Sequence, residues 1–328
     1  MLNPLARYPE VQQASGRSML PITLIGGFLG AGKTTLLNSL LSQGDGRRLA
    51  VLVNDFGALN IDAKLVVNVE GGKMELANGC ICCDIRDDLV AGIETLLASE
   101  PAPEQLVIET SGVSDPMNIV CTFNTSKVRR SVFLENVITV VDALHALDAR
   151  DAEWNALFER QIRGAYMIVL NRTKLAGEEQ TQKVRELISE LMPTAAVFET
   201  EDGTVPLGVL LGDSRIGQST FRPEPTMYAG SHPFESMVFK TEKPIRRVDF
   251  VKLMRELVEV TYRVKGFINF RNYPLTTLYQ KVGNFESYVD GGSWGVTTPM
   301  TELVLIGVKK NFDPQKITEA LEACCADS

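Results

Sequence analysis

The chain has 328 residues, of which 45% are hydrophobic and 23% are charged, and such a chain ordinarily folds into about two globular domains. Its net charge of −8 argues against a nucleic-acid-binding protein, because neutralising phosphates requires a basic surface. No apolar run approaches the roughly 18 residues that a membrane-spanning helix needs, and the first 20 residues lack the apolar core of a secretory signal. We therefore expect a cytoplasmic protein with neither membrane nor nucleic-acid partners.

Apolar runs rich in Val, Ile and Leu predict the strands of one sheet. Runs that are apolar throughout and alternate with helix-length segments are typical of a mostly parallel sheet covered on both faces. Helices are predicted between residues 34 and 41 and between 181 and 191. The predicted strands are 22–25, 49–53, 105–108, 137–141 and 167–170.

A change of composition separates this α/β region from the rest of the chain. Residues 213–233 contain several Gly, Pro and Ser residues without periodicity and are predicted to be a linker. Beyond them we predict strands at 234–240, 266–270, 277–282 and 302–308, and helices at 247–260 and 314–324. The predicted organisation is a flexible lead-in over 1–20, an α/β domain over 21–212, and a smaller α+β domain over 234–328.

A phosphate-binding motif follows the first predicted strand and opens a predicted helix. It is Gly27-Phe28-Leu29-Gly30-Ala31-Gly32-Lys33-Thr34, which matches GxxxxGK[ST], the P-loop of nucleoside triphosphatases. Its glycines let backbone N–H groups approach the phosphates, Lys33 provides a charge near the β- and γ-phosphates, and Thr34 offers its hydroxyl to Mg2+. The α/β domain is therefore predicted to be a P-loop hydrolase. The nucleotide-binding residues of this loop are predicted to be Gly27, Gly30, Ala31, Gly32, Lys33, Thr34 and Thr35.

Carboxylates are placed at the ends of two further strands. Glu109 ends the third strand and is followed by Thr110-Ser111-Gly112. In P-loop hydrolases an acid at this position holds Mg2+ directly or through water, and the glycine that follows can contact the γ-phosphate. Asp55 follows the second strand and is expected at the same edge of the sheet, where ligands of open α/β sheets bind. We assign catalysis to Lys33, Asp55 and Glu109, Mg2+ to Thr34 and Glu109, and a nucleotide contact to Gly112.

The fifth strand ends in Asn171-Arg172-Thr173-Lys174. Guanine-selective hydrolases carry Asn-Lys-x-Asp here, and the aspartate accepts hydrogen bonds from the base. Asn171 matches and is expected to contact the nucleotide, whereas Lys174 is a donor only. Two alternatives remain open: GTP is held by backbone contacts near residues 198–202, or base selectivity is relaxed and ATP is also a substrate.

Three thiols lie within four residues at Cys80-Ile81-Cys82-Cys83. Thiolates prefer Zn2+ and similar soft ions, and zinc prefers four ligands. Cys80, Cys82 and Cys83 can supply two or three of them, and Asp55, Asp62 or a substrate group can complete the set. An incomplete protein shell suits a metal that is passed on. The alternative is that these cysteines are structural or redox-sensing; of the other three, Cys121 is expected to be buried and the pair 324–325 exposed.

These motifs together resemble the CobW-type metallochaperone GTPases, which belong to the SIMIBI class of P-loop proteins. The resemblance implies GTP hydrolysis coupled to delivery of a transition metal, zinc or cobalt, to a client metalloenzyme, with a C-terminal domain that meets the client. The chain has only two histidines and lacks the His-rich tract of many cobalt-linked members, which favours zinc. The resemblance is carried by residues 27–35, Asn54-Asp55-Phe56-Gly57 with Ile61-Asp62, residues 75–83, Glu109-Thr110-Ser111-Gly112 with Asp115-Pro116, Val205-Pro206-Leu207 and residues 263–267.

Two other functions remain as alternatives to this one. The first is a nucleotide-gated binding or activator module whose cysteines are structural or redox sensors, and in which hydrolysis is negligible. The second is a small-molecule kinase, which is the weaker of the two because the sequence has no recognisable acceptor-binding signature.

Overall fold

The computed structural model describes residues 19–43, 47–53, 65–69, 72–76, 85–125, 127–148, 151–193, 195–212, 234–295 and 298–325. They fall into two compact units, one spanning Met19–Leu211 and the other beginning at Gly212. Across these ranges, none of the helices has the length and apolar character needed to cross a bilayer. Several predicted features lie outside the described residues: Asp55, Asp62, the three clustered cysteines, the 213–233 linker and most of the predicted lead-in.

The first unit is built on a mostly parallel sheet, as predicted. Its strands are β1 (Leu20–Gly27), β2 (Leu49–Val53), β3 (Leu65–Val69), β4 (Gly72–Leu76), β5 (Gln105–Glu109), β6 (Val132–Asp142), β7 (Met167–Asn171) and β8 (Ala196–Thr200). The sheet order is β4-β3-β2-β5-β1-β6-β7-β8. The six strands from β2 to β8 in that order are parallel, and β3 and β4 join antiparallel at one edge.

Helices pack against this sheet through apolar side chains. The helices are α1 (Lys33–Ser42), α2 (Ile85–Ala98), α3 (Pro116–Thr125), α4 (Ala152–Arg163), α5 (Thr173–Leu191) and α6 (Leu207–Leu211). Ile93 of α2 and Phe123 of α3 belong to one buried cluster with residues of β1 and β5. Phe158 of α4 and Val184 of α5 belong to another with residues of β7. Burial of these apolar stripes is what holds the helices in place.

Two predicted boundaries in this unit are wrong. Strand β6 begins at Val132 rather than at 137. The prediction missed this start because the polar residues Glu135 and Asn136 interrupt the apolar run, although both are buried inside the strand. The Asn136 amide donates to the Leu210 carbonyl at 3.0 Å. Helix α5 begins at Thr173 rather than at 181, and its one non-helical residue is Gly177, with φ 77° and ψ 164°.

The second unit has the predicted α+β character. It contains β9 (Phe234–Thr241), α7 (Arg247–Glu256), β10 (Thr261–Ile268), β11 (Leu275–Val282), β12 (Phe285–Ser293), β13 (Thr301–Val308) and α8 (Pro314–Ala323). The strands form an antiparallel sheet with the order β12-β11-β10-β13-β9. Phe250 of α7 and Leu321 of α8 are buried in one core with Val264, Leu303 and Leu305 of the sheet.

Several details of the second unit differ from the prediction. Helix α7 ends at Glu256, and β10 starts at Thr261, five residues before the predicted start of this strand. The prediction missed the start because charged residues interrupt the apolar pattern of the strand. Strand β12 was not predicted, since its sequence ends in Gly-Gly-Ser. The cysteine exposures are reversed: Cys121 is exposed, whereas Cys324 and Cys325 are buried in the core beside α8.

Candidate nucleotide-binding site

The parallel register brings the ends of several strands to one edge of the sheet. In this register Ile25 is paired with Glu109, Gly27 with Val140, and Asn171 with Thr200. The loops that leave β1, β5, β7 and β8 therefore meet at the carboxyl edge, where ligands of open α/β sheets bind. Three predicted elements thus converge: the P-loop, the Glu109–Gly112 segment and Asn171.

Glycines give the P-loop a path that other residues cannot follow. Gly27 has a φ of 133°, Gly30 of 73° and Gly32 of 106°, all in the region that L side chains rarely adopt. A Cβ on Gly32 would lie 2.5 Å from the Asn171 amide nitrogen, and one on Gly27 would overlap the backbone of Val140. The loop therefore lies directly against the ends of β6 and β7.

Lys33 and Thr34 sit at the start of α1, where the loop ends. The Lys33 ammonium donates to the Phe28 carbonyl at 3.0 Å, so the side chain spans the loop. The Thr34 hydroxyl donates to Glu109 Oε1 at 2.7 Å, and Glu109 is only 5% exposed. The hydroxyl and carboxylate oxygens are hard ligands of the kind that Mg2+ takes, and a carboxylate in so dry a position is stabilised by a neighbouring cation. The pair therefore fits Mg2+.

The segment after β5 lies against the P-loop, and a buried glutamine fixes it there. A Cβ on Gly112 would lie 2.7 Å from the backbone nitrogen of Leu29. Gln161 of α4 is fully buried, and its amide donates to the carbonyls of Gly112 at 3.2 Å and Ser114 at 2.9 Å. This role of Gln161 could not be recognised in the sequence, because Gln161 is one of several polar residues in α4.

We expect Gly112→Ala to destabilise the protein by about 1–3 kcal/mol, the usual cost of adding a methyl group where there is no room. The added Cβ meets backbone atoms of Leu29, so the P-loop must shift and GTP affinity should fall as well. Urea unfolding and GTP titration measure the two effects. Gly92→Ala is the matched control: nothing lies within 4 Å of its Cβ position in α2, so it should stabilise by about 0.5–1 kcal/mol. Equal effects of the two changes would contradict the proposed close approach.

Asn171, the last residue of β7, hydrogen-bonds to the P-loop. Its amide donates to the Ala31 carbonyl at 3.0 Å, and its Oδ1 accepts from the backbone N–H of Arg172 at 2.9 Å. Asn171 is 3% exposed. Its amide therefore contacts the loop that would hold the phosphates.

The start of α5 contains a carboxylate that the sequence did not reveal. Glu201, the residue after β8, accepts from the Thr173 hydroxyl at 2.7 Å. It also accepts from the backbone N–H of Lys174, at 3.0 Å to Oε1 and 2.9 Å to Oε2. An acidic side chain thus lies beside the position where Asn-Lys-x-Asp would place its aspartate.

A cavity of about 350 Å3 lies on the β6 side of the P-loop, lined by Phe28, Leu29, Gly30 and Ala31 among others. At its wall, Asp142 accepts from Arg172 at 2.6 Å and lies 2.7 Å from His145 Nδ1. No group of three or more His, Cys, Asp or Glu side chains that could hold a metal occurs in the described ranges. The predicted soft-metal ligands lie outside those ranges, so that part of the site remains a prediction from sequence.

The fold and the loop define a P-loop nucleotide-binding protein with a second, α+β domain. Residues 21–199 match the model of the CobW/HypB/UreG nucleotide-binding domain, and residues 234–325 match that of the cobalamin synthesis protein cobW C-terminal domain. The chain therefore belongs to the CobW/HypB/UreG family, and the predicted resemblance is confirmed.

Similar proteins cover nearly the whole chain. A protein of Sinorhizobium sp named zinc chaperone CobW is 30% identical over 349 residues, covering 94% of this chain and 98% of that protein. One of the same name from Pseudomonas aeruginosa is 31% identical over 347 residues, covering 94% and 92%. The crystal structure of Zn(II)-bound YjiA GTPase from E. coli is 28% identical, covers 94% of this chain and 100% of its own, and gives a TM-score of 0.45.

Proposed function

We propose that this protein is a GTP hydrolase that couples cleavage of the β–γ phosphoanhydride to the binding of Zn2+ and its delivery to a client metalloenzyme. The observation that carries the proposal is the contact of 2.7 Å between the Thr34 hydroxyl and the buried Glu109 carboxylate, at the start of the P-loop helix. Zinc is proposed because of the names of similar proteins. Two from bacteria are named zinc chaperones, and one from Dictyostelium discoideum is named a zinc-regulated GTPase metalloprotein activator.

In this proposal the P-loop residues bind different parts of the triphosphate. Backbone N–H groups between Gly27 and Thr35 bind the phosphate oxygens, and Lys33 exchanges its contact with Phe28 for the β- and γ-phosphates. Thr34 and Glu109 would hold Mg2+, which would neutralise charge on the phosphates. Gly112 lies against the same loop, so its backbone N–H is a candidate contact for the γ-phosphate.

The path of the chain supports a link from the nucleotide to the metal. Val53, the last residue of β2, is paired with Glu109, and Asp55 follows only two residues later. Cys80, Cys82 and Cys83 come later in the sequence, after β4, which ends at Leu76. We propose that Asp55 acts in catalysis and that the three thiolates bind zinc as cargo, in a segment whose arrangement depends on the nucleotide.

Phosphate release from the purified chain tests this function. With GTP and Mg2+ we expect slow hydrolysis, and we expect added Zn2+ to change its rate. A parallel assay with ATP measures base preference. Hydrolysis that is absent, or that does not respond to Zn2+, would instead favour the second candidate, a nucleotide-gated binding module with structural or redox cysteines.

A further inference from the structure

Position 174 poses a problem for a protein that uses GTP, because a lysine there cannot accept the hydrogen bonds that guanine donates. We propose that Glu201, from the neighbouring strand, supplies the carboxylate that recognises guanine in this protein. This inference rests on the proposed function in so far as the site binds a purine nucleotide. Glu201 would be a specificity-determining residue and takes no part in the cleavage itself.

The sheet register brings Glu201 to this position. Asn171, the last residue of β7, is paired with Thr200, the last residue of β8, and Glu201 comes next. Its carboxylate lies over the first turn of α5, held by the Thr173 hydroxyl and the backbone N–H of Lys174. An aspartate at position 174 would start from this same backbone, so the Glu201 carboxylate lies within hydrogen-bond distance of the residue position that carries the aspartate.

The turn that carries Glu201 is fixed and lies beside the helix of the P-loop. Asp202 accepts from the backbone N–H of Thr204 at 2.9 Å, and this contact lowers the pKa of the Asp202 carboxyl. Gly203 has a φ of 75°, and a Cβ there would lie 3.3 Å from the Thr35 methyl group. The turn that carries Glu201 thus contacts the first turn of α5 through Glu201 and approaches α1, the helix that begins with Lys33 and Thr34, through Gly203.

The chemistry of the carboxylate selects guanine over the other purines. An ionised carboxylate has about four acceptor positions. The Thr173 hydroxyl and the Lys174 N–H both donate to Oε1, and the Lys174 N–H is shared with Oε2. Oε2 therefore keeps acceptor capacity for the adjacent N1–H and exocyclic amine of guanine. Adenine presents a lone pair at N1, and xanthine presents a carbonyl in place of the amine, so each sets an acceptor against the carboxylate.

The test is calorimetric titration of GDP, XDP and ADP, with Mg2+, into the parent chain and Glu201→Gln. Diphosphates carry the same bases and avoid hydrolysis. The parent should bind GDP about 10- to 100-fold more tightly than XDP or ADP, the range of a hydrogen bond to a charged group. In Glu201→Gln the amide nitrogen becomes a donor to the xanthine carbonyl, so GDP affinity should fall by about the same factor and XDP affinity should rise.

Glu199→Gln is the matched control, two residues upstream, inside β8. Glu199 pairs with Arg185 at 2.6 and 2.9 Å on the outer face of α5, so its loss should leave the GDP/XDP ratio unchanged. If Glu201→Gln lowers the affinities for all three nucleotides equally, Glu201 only caps α5 and the inference is overturned. A parent that binds ADP as tightly as GDP overturns it too, but leaves nucleotide hydrolysis standing. Failure of the parent to bind any of the three overturns both.

Discussion

Glu109→Gln is expected to slow GTP hydrolysis by about 100-fold or more, a loss on the scale seen when a charge-stabilising group is removed from a catalytic site. Glutamine keeps the size of the side chain and can still accept from the Thr34 hydroxyl, now 2.7 Å from the carboxylate. What it removes is the negative charge in a position that is only 5% exposed. The substituted chain should therefore fold normally but hold Mg2+ poorly, and raised Mg2+ should restore part of the rate.

Glu104→Gln is the control for this change, because Glu104 lies just before the opposite end of the same strand. Its carboxylate is exposed and pairs with Arg48 at 3.3 Å, and exposed pairs contribute about 0–1 kcal/mol. Phosphate release measured over a range of Mg2+ concentrations compares the two. If Glu109→Gln hydrolyses GTP as fast as Glu104→Gln does, Glu109 has no part in the metal site.

Replacing Cys80, Cys82 and Cys83 together by serine is expected to lower zinc affinity by about 1,000-fold or more. Four-ligand zinc sites bind with about 10–16 kcal/mol, so losing three thiolates should remove well over 4 kcal/mol, or three orders of magnitude. Competition with a zinc chelator measures the affinity. GTP binding in the absence of zinc should persist, since the P-loop and its contacts are unchanged.

The control for the thiol prediction is Cys121→Ser, because Cys121 is the exposed cysteine among those the structure describes. Cys324 and Cys325 are unsuitable, since both are buried in the C-terminal core. Zinc bound as tightly by the triple variant as by Cys121→Ser would show that the cargo is held elsewhere.

Local sequence patterns predicted the features that depend on neighbouring residues. The P-loop glycines with Lys33 and Thr34 are contiguous, and the apolar runs before them and before Glu109 are short and continuous. Chain order and strand register then bring Glu109 to the P-loop, so both the fold class and this pair could be expected. The same holds for Asn171, which ends its strand at the same edge.

Contacts between distant polar residues could not be predicted in this way. Gln161 and Gly112 are 49 positions apart, and Glu201 meets position 174 from the next strand. The donors and acceptors of these two pairs follow no local sequence pattern, because only the tertiary fold brings the paired residues together. The buried polar residues inside β6 concealed the start of that strand for a related reason: their partners lie far along the chain.

Zinc affinity measured with and without a bound nucleotide tests the central claim most directly. A chelator competition on the parent chain, with Mg2+ and a non-hydrolysable GTP analogue present or absent, should give two values differing by at least about fivefold, the lower end of typical coupling between sites. By linkage, zinc should change the affinity for the analogue by the same factor. Equal zinc affinities in the two states would show that nucleotide and metal are not coupled, and would contradict the account.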